Sequence, residues 1–153
     1  LAPRRIERVE EVATLLKKRN ISFALRSSMK QAENVILLDT MGELAKVYSL
    51  GQVAFIGKSL VKPGGGHSLI EPLSYGLPVL HGPFVENIGH VAEKAHELEL
   101  TITVQGSRDI KEKVSNFLKN ISLRQELAEN ALSFTTEQKA PTKKWPKTLQ
   151  KPQ

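Results

Sequence analysis

The chain has 153 residues, of which 40% are apolar, and this is enough to build one packed core. Cysteine is absent, which excludes disulfides, thiolate metal sites and a cysteine nucleophile. The sequence has no stretch of about eighteen apolar residues and no apolar core of a signal peptide, so it predicts neither a membrane span nor export.

The formal charge of +6 is concentrated at one end of the chain. Residues 139–153 contain five lysines and no acid, so that 17 of the 22 basic side chains remain elsewhere, against 16 acidic ones. The body is therefore nearly neutral, and nucleic acid is not an expected partner. From residue 135 onward the chain is polar, rich in lysine and interrupted by proline, and it is expected to be disordered.

Hydrophobic periodicity predicts helices that alternate with short apolar strands. In chain order the predicted elements are helix 5–19, strands 21–25 and 35–38, helix 42–50, strand 53–56, helix 68–75, strand 78–80, helix 87–98, strand 101–104 and helices 108–120 and 123–134. Residues 35–38 and 53–56 form unbroken apolar runs, which are typical of strands covered on both faces. The pattern predicts an α/β fold with a parallel sheet flanked by helices on both faces.

The loop of residues 57–71 is the most informative candidate for a site, because ligands of parallel α/β sheets bind where strands lead into helices. Gly64-Gly65-Gly66 allows the backbone to approach a ligand and to turn its N–H groups toward it. An anion is the natural guest, since the start of the next helix adds unpaired donors and positive potential. His67 and Ser68 offer side-chain donors, and Lys58 or Lys62 offers charge.

A purely structural interpretation of the same loop stays open on these residues alone. Three glycines often form only a flexible turn, and the segment from Ser68 to Glu71 matches a helix capping box. Pro72 lies one turn inside the predicted helix, where a proline costs stability unless the local geometry serves a purpose.

Two earlier loops offer further candidates. Arg4 follows a strand and a proline, so it is either an anion contact above the strand ends or a solvated arginine at a helix start. Asp39 and Glu43 are either ligand contacts or, for Asp39, a helix N-cap. The histidines at 81, 90 and 96 lack a metal-ligand spacing and are expected to be structural. Neither a Walker sequence nor a glycine-rich dinucleotide-binding turn is present, and this excludes a kinase or a dehydrogenase function.

Taken together and in order, these loops resemble the C-terminal domain of the 3-deoxy-D-manno-octulosonic acid (Kdo) transferases of lipopolysaccharide synthesis. The matching series is Ala2-Pro3-Arg4, Glu7-Arg8, Glu11-Val12, Asp39-Thr40-Met41-Gly42-Glu43-Leu44, Val53-Ala54-Phe55-Ile56-Gly57, Ser59-Leu60-Val61, Gly65-Gly66-His67, Glu71-Pro72, Gly76-Leu77-Pro78-Val79-Leu80 and Gly82-Pro83. The series covers roughly residues 2 to 90, and it is specific to the family as an ordered set.

The resemblance implies a Rossmann-like half of a GT-B glycosyltransferase that moves Kdo from CMP-Kdo to a lipid A precursor at the cytoplasmic face of the bacterial inner membrane. The C-terminal domain of such enzymes holds the donor. By position, the implied donor contacts are Arg4, Met41, Gly42 and Glu43 on the cytidine side, Gly65, Gly66, His67 and Ser68 at the phosphate, and Glu71 at the ribose. No metal or other cofactor is implied. The general base, a carboxylate, belongs to the N-terminal domain, so this soluble fragment is expected to bind the donor without turning it over.

The chain departs from the family pattern at four positions. The family commonly has His where Arg5 stands, Gly where Lys58 stands and Asn-Pro where Ser68 and Leu69 stand. Two other functions therefore stay open. One is a GT-B domain that uses a UDP-sugar, and the other is a non-catalytic module whose lysine tail binds nucleic acid or an anionic membrane.

The expected organisation is a nucleotide-sugar-binding domain at residues 1–134, followed by a basic tail at residues 135–153. Leu1-Ala2-Pro3 has the character of a strand end that leads into a helix, without the polar lead that usually opens a domain. The domain is therefore expected to be truncated at its N-terminus.

Overall fold

The computed structural model describes residues 1–31, 33–86 and 89–139. Contacts divide the chain into two compact units, Leu1–Leu50 and Gly51–Gln153. The predicted domain limits of 1–134 and 135–153 stay a prediction, and residues 140–153 of the predicted tail lie outside the described residues.

The unit Leu1–Leu50 is built around a small parallel sheet. Its elements are a 3-10 turn Ile6–Arg8, α1 Val9–Lys18, β1 Ala24–Leu25, a 3-10 turn Arg26–Ser28, β2 Ile36–Leu37 and α2 Leu44–Ser49. Strands β1 and β2 pair in parallel, with Ala24 opposite Ile36. Leu1 lies beside β2 in the manner of a strand residue, since it donates to the Ile36 carbonyl at 2.7 Å and accepts the Leu38 N–H at 2.8 Å. The structure assigns no strand to residues 1–3, so the predicted strand end is limited to these two hydrogen bonds of Leu1.

The unit Gly51–Gln153 contains a three-stranded parallel sheet in the order β3-β4-β5. Its elements are β3 Ala54–Ile56, α3 Ile70–Leu73, β4 Val79–His81, α4 Gly89–Glu97, β5 Thr101–Thr103, α5 Ser107–Lys119 and α6 Ile121–Lys139. The strands are parallel because a helix separates each from the next along the chain.

Helices pack against both faces of this three-stranded sheet at its central strand, β4. Successive residues of a strand point to opposite faces, and Val79 of β4 packs in one apolar cluster while Leu80 packs in another. The first cluster includes residues of α3, α4 and α6, and the second is centred on Phe117 of α5. The predicted arrangement of helices around parallel strands is confirmed.

The structure corrects several predicted details. Ile36 and Phe55 are 38% and 39% exposed, so β2 and β3 are not covered on both faces as their apolar runs predicted. Helix α3 begins at Ile70 rather than at residue 68. Helix α6 continues to Lys139, five residues beyond the predicted end, and Thr135 is buried at 3% exposure. The expectation of disorder from residue 135 onward is therefore wrong for residues 135–139.

Candidate functional site

The loops that follow β3 and β4 are joined by a buried serine. Ser59 is fully buried, and its hydroxyl donates to the Ile56 carbonyl at 2.6 Å and accepts the Gly82 N–H at 2.8 Å. The carbonyl of Ser59 in turn accepts the Phe84 N–H at 2.9 Å. Both loops therefore leave the carboxyl ends of their strands as one hydrogen-bonded layer, which is the edge where such sheets bind ligands.

The glycine turn is part of this layer. The Gly65 N–H donates to the Phe84 carbonyl at 3.0 Å, and the Gly66 N–H donates to the Lys58 carbonyl at 2.9 Å. Both glycines are buried, with φ of +107° and +64°, a region that side chains seldom allow. The prediction that these two N–H groups turn toward a ligand is wrong, because both are satisfied within the protein.

The glycine at position 64 is required for a different reason. A Cβ atom added to Gly64 would lie 2.3 Å from the Cβ of Phe84, closer than any real contact allows. The turn therefore packs its backbone directly against the loop after β4. Its shape is defined by this close packing and by the hydrogen bonds of Gly65 and Gly66.

The segment after the turn carries the remaining predicted phosphate and ribose contacts. His67 is half-buried, whereas Ser68 and Glu71 are exposed. Leu69 is the N-cap residue of α3 and has no side-chain cap, so the predicted capping box between Ser68 and Glu71 does not form. The Ser68 hydroxyl has no hydrogen-bond partner within the described chain. Helix α3 has only four residues, so it sums few peptide dipoles and adds less positive potential than predicted.

The other predicted contacts lie in the unit Leu1–Leu50. Arg4 is exposed in the loop before the first 3-10 turn, Met41 is 77% exposed, and Gly42 has φ of +78° with open space around it. Glu43 accepts hydrogen bonds from the Thr40 hydroxyl and from Arg26 Nη2, the latter at 2.9 Å. The Thr40 bond, with Arg26 contributing further, holds the pKa of Glu43 below its ordinary value.

Asp39 does not cap a helix, contrary to one of its two predicted roles. It accepts the backbone N–H of Ser27 at 2.8 Å and also the hydroxyl of Ser27. These two bonds, the hydroxyl first, hold the pKa of Asp39 below its ordinary value. The carboxylate therefore joins the loop after β1 to the loop after β2 inside this unit.

The structure places the predicted site residues in two groups. Gly65, Gly66, His67, Ser68 and Glu71 lie in the unit Gly51–Gln153, and Arg4, Met41, Gly42 and Glu43 lie in the unit Leu1–Leu50. Sequence reasoning missed the organising roles of Ser27, Ser59 and Phe84. Ser59 belongs to the matching series of loops, and this marks it as a residue of interest. The series does not show its role, because its partner Gly82 is 23 residues away in the chain.

His81 lies at the end of β4, next to this layer of loops. His81 is buried at 3% exposure, with Nδ1 2.8 Å from the Gly82 carbonyl and Nε2 3.3 Å from Thr101 Oγ1, which confirms its structural role. Across residues 1–31, 33–86 and 89–139, no group of three His, Asp or Glu side chains is placed to hold a metal ion. Within the same residues, none of the helices has the length and apolar character to cross a membrane.

Comparison with known proteins identifies relatives over most of the chain. The 3-deoxy-D-manno-octulosonic acid transferase of Chlamydia trachomatis is 34% identical over 139 residues, which is 89% of this chain and 32% of that protein. The transferase of the same name from Haemophilus influenzae is 37% identical over 134 residues, 86% of this chain and 31% of that protein. The chain thus spans about a third of the length of these relatives. No protein-family model matches it.

A solved structure matches the fold as well as the sequence. The crystal structure of the C-terminal CMP-Kdo binding domain of WaaA from Acinetobacter baumannii superposes with a TM-score of 0.81 at 29% identity. The match covers 88% of this chain and 71% of that domain. The Rossmann-like GT-B half implied by the resemblance is confirmed.

Proposed function

We propose that this chain, a homologue of the 3-deoxy-D-manno-octulosonic acid transferases over about a third of their length, is the part that binds the nucleotide-sugar donor. The observation that carries the proposal is the likeness to a CMP-Kdo binding domain, with a TM-score of 0.81 over 88% of the chain. The donor is accordingly CMP-Kdo, and the full-length protein is a glycosyltransferase that moves Kdo to an acceptor.

The donor contacts that we propose divide by physical role. Gly65 and Gly66 shape the phosphate loop, because their amides are bonded to Phe84 and Lys58 and only their lack of side chains lets a ligand approach. His67 and Ser68 supply polar side chains beside that loop. Glu71, exposed on the first turn of α3, is the acceptor for the ribose hydroxyls.

A second group of proposed contacts concerns the cytidine base. We propose that Arg4 and the turn of Met41, Gly42 and Glu43 contact the base. The support is the ordered series of loops together with the open space around Gly42. The Glu43 carboxylate is fixed by Thr40 and Arg26, so it presents a defined acceptor rather than a mobile one.

The chemical contribution of this chain is electrostatic. When the bond between Kdo and the phosphate breaks, negative charge grows on the CMP leaving group, and polar groups already in place stabilise it. We propose that no metal or other cofactor takes part. The general base and the acceptor site belong to residues outside this chain, so the 153 residues alone bind without transfer.

The proposal extends to the acceptor substrate and the cellular location of the full-length protein. The full-length protein acts on a lipid A precursor at the cytoplasmic face of the inner membrane. The five lysines of residues 139–153, with Trp145 among them, support contact with an anionic membrane surface, since each basic residue near such a surface adds attraction.

The test is a calorimetric titration of the chain with CMP, UDP and a short oligonucleotide. We expect CMP to bind, UDP to bind more weakly, and Glu71→Ala to lower the CMP affinity by roughly tenfold or more, as loss of a charged hydrogen-bond acceptor predicts. Glu129→Ala, which removes an exposed carboxylate from α6, is the matched control and should leave the affinity unchanged. Tighter binding of UDP than of CMP, or an equal effect of the two variants, would contradict the proposal.

A further inference from the structure

Lys58 has a backbone conformation that residues with side chains seldom adopt. Its φ is +58°, in the left-handed region, where the Cβ atom crowds the backbone. Two other non-glycine residues of the described chain share this region, Asn20 and Glu99. Each of these follows a helix, and the amide of the next residue donates back into that helix, which is a common way for helices to end. Lys58 follows strand β3 and ends no helix, so its conformation has a different origin.

Hydrogen bonds on either side fix the backbone of Lys58. Its carbonyl accepts the Gly66 N–H at 2.9 Å, which attaches it to the glycine turn. The next residue, Ser59, is fully buried and donates to the Ile56 carbonyl across the same bend. Lys58 is therefore held at the base of the loop proposed to bind phosphate, while its side chain is exposed.

The two lysines of this loop differ in what their ammonium groups contact. Lys62 Nζ lies over the Phe84 ring, 5.3 Å from its centroid, and is thereby engaged in a cation–π contact. For the Lys58 ammonium, the described residues provide no ion pair, hydrogen bond or ring contact. Of the two lysines, Lys58 therefore has the unpaired ammonium group, and it is also the one with the left-handed backbone.

An unpaired cation beside this loop favours the binding of a phosphate. The amides of Gly65 and Gly66 are both satisfied internally, and α3 is too short to add much positive potential. Because these two amides are occupied, a charged side chain has a larger share in balancing the charge of the phosphate. On the basis of the donor-binding function proposed above, we propose that Lys58 is a binding residue whose ammonium group pairs with the donor phosphate at the glycine turn.

The test compares CMP with cytidine, which lacks the phosphate, by titration calorimetry on the whole chain. Lys58→Asn removes the charge and retains a residue that tolerates the left-handed region. We expect it to weaken CMP binding about tenfold, to leave cytidine binding unchanged and to reduce the salt dependence of CMP binding. Lys58→Arg keeps the charge and should restore most of the CMP affinity.

Lys62→Asn is the matched control, since it removes the same charge from the same loop. Its CMP affinity should stay within about twofold of the parent, the range for an exposed charge without direct contact. Equal losses in the two asparagine variants would overturn the role of Lys58 and leave donor binding intact. A loss for Lys58→Asn that is the same for cytidine as for CMP would also overturn it. Failure of the parent chain to bind CMP would overturn both the inference and the proposed function.

Discussion

The hydroxyl of Ser59 accepts the Gly82 N–H at 2.8 Å inside the layer formed by the loops after β3 and β4. The bond joins residues 23 positions apart, and Ser59 is fully buried. The glycine turn is attached to the same layer through Phe84. The geometry of the candidate phosphate loop is therefore supported by one small polar side chain that is itself fully buried.

Ser59→Ala should lower the free energy of unfolding by about 1–3 kcal/mol, because it leaves a buried N–H without a partner. Chemical denaturation monitored by circular dichroism measures the change. Ser133→Ala, at an exposed position of α6, is the control and should change the stability by less than about 0.5 kcal/mol. A loss for Ser59→Ala no larger than that of the control would contradict the role of this bond.

Gly82→Ala should destabilise the protein by about 1–3 kcal/mol or more, since the added Cβ would lie 2.1 Å from the Ser59 carbonyl oxygen. Gly57→Ala is the matched comparison, because nothing lies within 4 Å of a Cβ at that position. It should be neutral or slightly stabilising through the unfolded chain. Thermal unfolding of both variants decides the point, and similar melting temperatures would show that the close approach at Gly82 is absent in solution.

Asp39 provides a prediction about pH. Its pKa is lowered in the folded state by hydrogen bonds from Ser27, so the stabilisation is present above the unfolded value of about 3.9 and is lost as pH falls through the lower folded value. Ser27→Ala should therefore lower stability at pH 6 and approach the parent at the most acidic pH at which both remain folded. Denaturation midpoints across this range test it, with the exposed Ser28→Ala as control. A difference that stays constant with pH would contradict the coupling.

Phe134 tests whether α6 is an integral part of the core. Phe134 is 3% exposed and belongs to the apolar cluster that contains Val79, so Phe134→Ala should cost about 3–5 kcal/mol. Leu132 is 46% exposed on the same helix, and Leu132→Ala should cost far less. Equal losses in unfolding free energy would indicate that the end of α6 does not pack as described.

The sequence predicted those features that depend on local periodicity or on ordered motifs. Helix α5, bounded at Ser107–Lys119, agrees closely with the predicted residues 108–120, because its apolar spacing is strong and local. The glycine turn was correctly singled out as a special backbone. Its hydrogen bonds could not be predicted from the sequence. The Gly65 N–H donates to the carbonyl of Phe84, and only the pairing of the strands brings this residue close to the turn.

The same reason explains the errors elsewhere. Asp39 suited a helix cap by its position, yet Ser27, twelve residues earlier, provides two donors. The end of α6 was placed too early, because a polar composition after Phe134 indicates disorder unless tertiary packing buries residues such as Thr135. Contacts between segments distant in the chain decided each of these cases.

The most direct test of donor binding is a titration of the isotopically labelled chain with CMP, followed by NMR of the backbone amides. We expect saturable shifts at residues 65–71 and at residues 41–43, with little change in α5. Shifts confined to the lysines of residues 139–153, or none that saturate, would contradict the assignment of the glycine turn to the donor phosphate.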